Sequence, residues 1–171
     1  MKKLILVMLI LGGATFGLYY LLKPKPAFDI GRFKATIEEV EKRAGPALNQ
    51  PVDPSRVPEI TAVMVQYFDG ITTTIERNPV CTDAEAALAN FDREMQSRLQ
   101  GAVQRLNEQM RSGAANNAAM NAQFQQGAIA MFQAMKRSLP AIEDFCRRCP
   151  KESGVLNGAL SRAGAGGQPP P

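Results

Sequence analysis

The sequence of 171 residues contains no histidine and no tryptophan, and only three cysteines. Histidine is the commonest general base and a frequent metal ligand, and its ordinary pKa lies near neutrality. Its absence excludes Ser–His and Cys–His nucleophile pairs and haem attachment through a C-x-x-C-H motif. The chain also lacks a glycine-rich phosphate loop, a spaced carboxylate cluster and a recognisable nucleophile motif. We therefore expect a protein that is not an enzyme, has no cofactor and acts on no evident small-molecule substrate.

One long stretch of the chain, residues 4–22, has no charge and is flanked by lysines on both sides. At about 1.5 Å of rise per residue, a helix of this length just spans a hydrocarbon core about 30 Å thick. Tyr19 and Tyr20 near its far end suit the headgroup level. We predict that residues 1–25 form an uncleaved signal-anchor helix, with the lipid bilayer as a partner. The protein would then be a single-pass protein of a bacterial inner membrane, with its C-terminal domain in the periplasm.

A cleaved signal peptide is the alternative interpretation of the same residues. The small residues up to Ala14 resemble a cleavage site, and cleavage there would produce a secreted protein that starts at Thr15. The apolar run continues to Leu22, however, so the mature protein would begin with an apolar segment, and this favours the anchor. Gly13 and Gly17 have the small-xxx-small spacing that permits close helix–helix contact in a membrane, although glycine is common in membrane helices generally.

Charge is unevenly distributed along the rest of the chain. The net charge of the whole chain is +4, but residues 24–171 carry 17 basic and 16 acidic groups. This near balance, together with the export signal, argues against a nucleic-acid partner. Residues 24–92 have 7 basic and 11 acidic groups, whereas residues 93–171 have 10 basic and 5 acidic groups. Either the two halves pair with each other in a bundle, or the basic half binds an acidic partner or anionic lipid.

Apolar residues recur at intervals of three and four through most of the remaining chain, which predicts helices and no strands. Residues 26–57 are predicted to form an amphipathic helix, capped by Asp29, followed by an extended Pro-rich linker. This helix could pack on the bundle, lie on the membrane or dock against a partner. Residues 58–150 are predicted to form a bundle of three main helices plus short ones. Within it, Thr82 to Glu85 resemble a capping box, and Pro140 is expected to interrupt the last helix.

The fold class predicted from these elements is all-α, with one N-terminal membrane helix and a small extracytoplasmic helical bundle. Residues 151–171 are poor in apolar residues and rich in glycine and proline. They should be a disordered tail, because they cannot bury enough surface to offset the entropy of ordering.

The three thiols, Cys81, Cys146 and Cys149, allow three disulfide pairings. A bridge from Cys81 to either of the other two closes a loop of about 65 residues, which the chain-entropy model values at about 4 kcal/mol and which we favour. A local Cys146–Cys149 bridge would instead form a C-x-x-C pair, whose two intervening arginines could lower a thiol pKa. The same cysteines could bind a soft metal ion, but no fourth ligand is evident, and we predict no metal site.

A methionine-rich stripe is the other candidate for function. Met120, Met131 and Met135 share a helix face with Phe124, and such a face is either core or an adaptable surface for a partner. Arg98 and Arg105 are seven residues apart and lie on one side of the preceding helix. These six residues are the predicted partner-binding face.

The function predicted from these features is that of a non-enzymatic, membrane-anchored periplasmic interaction protein. It would be an accessory or assembly subunit of a cell-envelope membrane complex, with another envelope or membrane protein as its partner. The alternative is an envelope thiol–disulfide or metal-handling factor that uses the C-x-x-C pair.

Overall fold

The computed structural model describes residues 27–111 and 118–162. These residues form five α-helices and no strand, which confirms the predicted all-α class and the helical bundle. The helices are α1 (Ile30–Ala44), α2 (Glu59–Arg77), α3 (Cys81–Arg111), α4 (Ala118–Arg148) and α5 (Val155–Arg162). Short 3₁₀ segments occur at Gly45–Asn49, Pro54–Arg56 and Glu152–Gly154.

The predicted membrane helix, including Gly13 and Gly17, lies outside the described residues. Among the helices that the structure does describe, none has both the length and the apolar character needed to cross a membrane.

Local sequence signals set the ends of the first two helices. The Asp29 carboxylate accepts a hydrogen bond from the Arg32 N–H at 2.9 Å, so Asp29 caps α1 as predicted. Gly45 ends α1 with a φ of 55°, a left-handed conformation that glycine adopts without strain. Pro58 precedes the first residue of α2, and α2 ends before Asn78-Pro79 because proline cannot continue a helix.

Contacts between the helices define an up-and-down arrangement. α1 runs antiparallel to α4, since Lys34 pairs with Glu143 and Glu41 pairs with Lys136. α2 runs parallel to α4, since Arg137 binds Asp69 and Gly127 lies beside Thr61. It runs antiparallel to α3, since Arg105 binds Glu59 and Phe91 lies beside Gly70. Each of the first four helices is therefore antiparallel to its neighbour in sequence, as in an up-and-down bundle.

Helix α2 is the centre of the bundle, because it packs closely against both α3 and α4. Tyr67, Phe68, Ile71 and Ile75 of α2 are at most 2% exposed. Around them pack apolar side chains from the other helices, among them Phe33, Ile37, Leu88, Met95, Ile142 and Phe145.

The two ends of the bundle differ in what they contain. The end that we name the base contains Phe28, Cys81, Cys149 and Ser153. There the Phe28 N–H donates a hydrogen bond to the Ser153 hydroxyl at 3.1 Å, so the described chain enters the bundle at its base. The opposite end, which we name the tip, contains the start of α2, the last turns of α3 and the first turns of α4.

The structure corrects the predicted linker between α1 and α2. Residues 45–57 were expected to be extended and to separate α1 from the bundle, but they form two 3₁₀ turns that lie against α4. Leu48 is buried there, and the Gln133 side-chain amide donates hydrogen bonds to the carbonyls of Leu48 and Gln50, both at 3.0 Å. Of the three positions left open for α1, the structure therefore has it packed on the bundle.

Helix α3 begins two residues earlier than predicted, and α4 continues where a break was predicted. Cys81 is already helical and the Ala84 N–H bonds to the Val80 carbonyl at 2.9 Å, so Thr82 lies inside the first turn rather than at the cap. Helix α4 runs through Pro140 to Arg148. The proline ring is exposed, and the fully buried Ile142 and Phe145 just beyond it offset the lost N–H donor.

The expectation of a disordered tail from residue 151 is wrong for its first twelve residues. Glu152–Gly154 forms a 3₁₀ turn and α5 follows it directly. Val155, Leu156 and Leu160 of α5 are buried, and α5 packs against α3. Residues 163–171 lie outside the described residues.

Candidate functional site

All three cysteines lie at the base. Cys81 at the start of α3 and Cys149 just after α4 form a disulfide, with their Cα atoms 5.4 Å apart, and Cys146 is free. This pairing is one of the two long bridges that the sequence favours. It leaves Cys146 without a C-x-x-C redox partner, since Cys149 is already bonded across a separation of 68 residues.

The surroundings of the free Cys146 thiol disfavour its reactive thiolate form. Burial, with a smaller contribution from the Glu143 carboxylate, raises the pKa of the Cys146 thiol to about 11. The two arginines that could have lowered it, Arg147 and Arg148, both donate hydrogen bonds to Asp144 instead. Because nucleophilic thiols have lowered pKa values, this arrangement keeps Cys146 protonated at neutral pH.

A surface groove of about 510 Å³ lies beside Cys146 at the base. Its lining includes Phe28, Pro140, Cys146, Arg147, Pro150 and Ser153. The charged groups that border it are already engaged: Glu143 binds Lys34 at 2.7 Å, and Arg147 binds Asp144 at 2.7 Å. The groove therefore offers no convergent set of free charged groups for a ligand.

The two predicted partner-binding arginines form ion pairs within the chain. Arg105 donates two hydrogen bonds to Glu59 at the start of α2, at 2.7 and 2.6 Å, and lowers the pKa of that carboxyl. Arg98 donates to Glu94 one helical turn earlier, at 3.2 Å. Arg105 therefore ties α3 to α2, and Arg98 stabilises α3 locally.

The predicted methionine face divides between core and surface. Met135 is only 9% exposed and Met131 is half-buried, so this part of the stripe is core. Phe124 near the start of α4 is 41% exposed. The side chain of Met120 lies outside the described part of the structure.

Phe124 and Arg105 come together at the tip, where α2, α3 and α4 meet. A groove of about 200 Å³ lies there, lined by side chains that include Pro58, Arg105, Leu106, Gln123 and Phe124. The charged side chains in its lining, Glu59 and Arg105, bind each other. Phe124 is therefore the exposed apolar side chain that this groove presents to a partner.

A second surface lies along the outer side of α3. A shallow groove of about 500 Å³ is lined by Gln96, Leu99, Gln100, Val103 and Gln104, and we name these five residues the α3 strip. Val103 is 41% exposed and Leu99 is half-buried. Spacing alone did not separate these residues from the buried Met95 and Ala102, because both sets repeat every three or four positions.

Interhelical ion pairs join the acidic half of the chain to the basic half. Among the described residues, Arg105, Lys136 and Arg137 each bind an acidic group of the first half of the chain. This supports pairing of the two halves within the bundle, the first of the two explanations considered above.

Within the described residues, no group of three or more Cys, Asp or Glu side chains is placed to hold a metal ion. Comparison with known proteins finds no matching protein family, no similar curated protein and no similar solved structure.

Proposed function

We propose that this chain is a non-enzymatic, membrane-anchored interaction protein, an accessory or assembly subunit of a cell-envelope membrane complex. The anchor is residues 1–25, and the bundle stands in the periplasm with its base toward the membrane. The observation that supports the proposal is Phe124 at the tip: its ring is 41% exposed beside a groove in which the charged side chains, Arg105 and Glu59, bind each other. Aromatic side chains are enriched at protein–protein interfaces.

The length of the helices supports a contact at the tip. Helix α4 has 31 residues, which corresponds to about 45 Å at 1.5 Å per residue. A partner at the tip would therefore be bound well above the bilayer, by a rigid bundle whose helix ends are tied together at the base by the Cys81–Cys149 bridge.

The alternative function, an envelope thiol–disulfide factor, has less support. It requires a reactive thiolate, whereas burial raises the pKa of Cys146 to about 11 and Cys149 is bonded to Cys81. A metal-handling role has no supporting group of ligands in the described residues.

Purification of the tagged full-length chain from its native membrane in mild detergent, with mass spectrometry of bound proteins, tests the proposal. We expect one stoichiometric envelope partner, lost in Phe124→Glu and retained in Val40→Glu. Val40 is the matched control, because it is 38% exposed and lies on α1, away from the tip. A chain that is membrane-bound and folded but carries no partner contradicts the subunit role. A mature N-terminus at Thr15 contradicts the anchor.

A further inference from the structure

The α3 strip lies on a side of α3 where the bundle leaves apolar side chains exposed. Val103 is 41% exposed, and Gln100 and Gln104 beside it are exposed, whereas Met95 and Ala102 of the same helix are buried. The strip is thus a continuous surface of amide and aliphatic side chains along more than two turns of α3.

The strip carries no charge. Arg98 and Arg105, the nearest arginines in sequence, lie about 140–160° away from Val103 around the helix and bind Glu94 and Glu59. A primary amide both donates and accepts hydrogen bonds, so a glutamine side chain is complementary to another glutamine. A two-fold interface requires a surface that is complementary to itself, and an uncharged strip of glutamine, leucine and valine meets that requirement.

The spacing of the apolar residues fits a helix pair. Three apolar residues, Leu99, Val103 and Leu106, together with Gln96 before them, follow one another at intervals of three, four and three residues, the spacing of a and d positions in a heptad. A β-branched residue at a and leucine at d favour two parallel strands. Leu99 and Leu106 are half-buried, so part of each remains available to a second helix.

The orientation of the bundle on a membrane favours the same parallel arrangement. Helix α3 begins at the base, where the chain enters from residues 1–26, so α3 helices of two anchored copies point in the same direction. Confinement to one membrane also raises the effective concentration of the copies. A strip of five side chains needs this assistance, because stable interfaces bury about 800 Å² on each partner.

We propose that two copies of this chain pair in parallel through the α3 strip, with Val103 of one copy beside Val103 of the other. This inference goes beyond the proposed function but rests on its membrane anchor for the orientation of the copies.

Cysteine cross-linking of the full-length chain in native membranes tests the pairing. In a Cys146→Ser background, which removes the free thiol, Gln96→Cys and Val103→Cys are each oxidised mildly and examined on a non-reducing gel. We expect both variants to form a dimer of twice the mass, and Val40→Cys to stay monomeric. Val40 is the matched control, since it is 38% exposed and lies on α1, which does not pack against α3. Adding Val103→Glu to Gln96→Cys should reduce the cross-linked fraction about tenfold, because two carboxylates would face each other across the two-fold axis.

The outcomes separate this pairing from other arrangements. Cross-linking at only one of the two strip positions would indicate antiparallel helices, and cross-linking of Val40→Cys at the same rate would indicate random collision; either result overturns the proposal. Absence of dimer in both strip variants overturns it as well. Alkaline washing of the same membranes tests the anchor separately: a chain that washes off contradicts the proposed function, whatever the gel shows about pairing.

Discussion

Gly70 of α2 faces α3 at a point where there is no room for a side chain. A Cβ atom there would lie 2.1 Å from the Cζ atom of Phe91, whose ring stacks on Tyr67 at a centroid distance of 5.6 Å. Gly70 therefore allows the close approach of α2 and α3.

Substitution Gly70→Ala should destabilise the bundle by about 1–3 kcal/mol, because Phe91 must move away from its packed position. Urea unfolding followed by circular dichroism measures the change. Gly101→Ala is the matched control: its nearest side-chain atoms are 3.5 Å away, so it should stabilise α3 by about 0.5–1 kcal/mol. Equal effects of the two substitutions would show that Gly70 is not a packing position.

The Cys146 thiol should react slowly with alkylating reagents at neutral pH. With a pKa of about 11, its thiolate fraction at pH 8 is on the order of a hundredfold below that of free cysteine, and it rises about tenfold per pH unit up to that pKa. Mass spectrometry of iodoacetamide labelling against time, from pH 7 to about 10, measures the rate. The urea-unfolded chain is the control and should react at the ordinary rate. Rapid labelling of the folded chain at pH 7 would instead support the thiol–disulfide function.

The disulfide connects elements that are distant in sequence but adjacent at the base. Changing both Cys81 and Cys149 to serine should lower the free energy of unfolding by about 4 kcal/mol, because the bridge closes a loop with a separation of 68 residues. Urea unfolding of this double variant, compared with Cys146→Ser, gives the measurement. Since Cys146 is outside the bridge, Cys146→Ser should lower the free energy of unfolding much less than the double substitution does. If Cys146→Ser lowered it more than the double substitution, the assigned pairing would be contradicted.

Helix α5 contributes to the core even though it is only eight residues long. Leu156 is fully buried, so Leu156→Ala should cost about 2–5 kcal/mol of folding free energy, as large-to-small changes in cores do. Val80→Ala is the control, since Val80 is 53% exposed and should change stability little. Thermal unfolding of the two variants gives the measurement. If residues 155–162 made no contacts with the bundle, Leu156→Ala would be as neutral as Val80→Ala.

Acid should lower the free energy of unfolding of the whole bundle. Hydrogen bonds from arginines lower the pKa of Glu59 and of Asp144 in the folded chain. As the pH falls, these two carboxylates are therefore protonated in the unfolded chain before they are protonated in the folded chain, which favours unfolding. The stability from Glu59 is complete above its ordinary pKa of 4.5 and is lost as the pH falls through the lower folded value. The urea midpoint should therefore stay level near neutrality and fall below about pH 4.5.

Glu59→Gln should reduce part of this acid sensitivity, and added salt should reduce it further, because the pairs are exposed. Measuring the midpoint from pH 7 to 3 for both proteins gives the comparison. A stability that does not depend on pH in this range would show that these pairs contribute nothing to the fold.

Local features of this protein follow from residues that are close together in the sequence. Helix periodicity, the Asp29 cap, the Gly45 stop and the prolines around α2 act within a few residues, so the all-α class and most helix boundaries can be predicted from it. The lack of histidine likewise excludes whole classes of chemistry without any structure.

Other features depend on which helix surfaces meet, and these are visible in the folded bundle alone. Cys149 rather than Cys146 lies beside Cys81, Met135 is core while Phe124 is surface, and Leu48, Leu156 and Leu160 are buried in segments that looked like linker and tail. Short segments of this kind carry too few apolar residues to show a period, and they are stabilised by contacts with helices far away in sequence. The direction of each side chain on α3, toward α2 or toward solvent, is fixed for the same reason by packing and not by spacing.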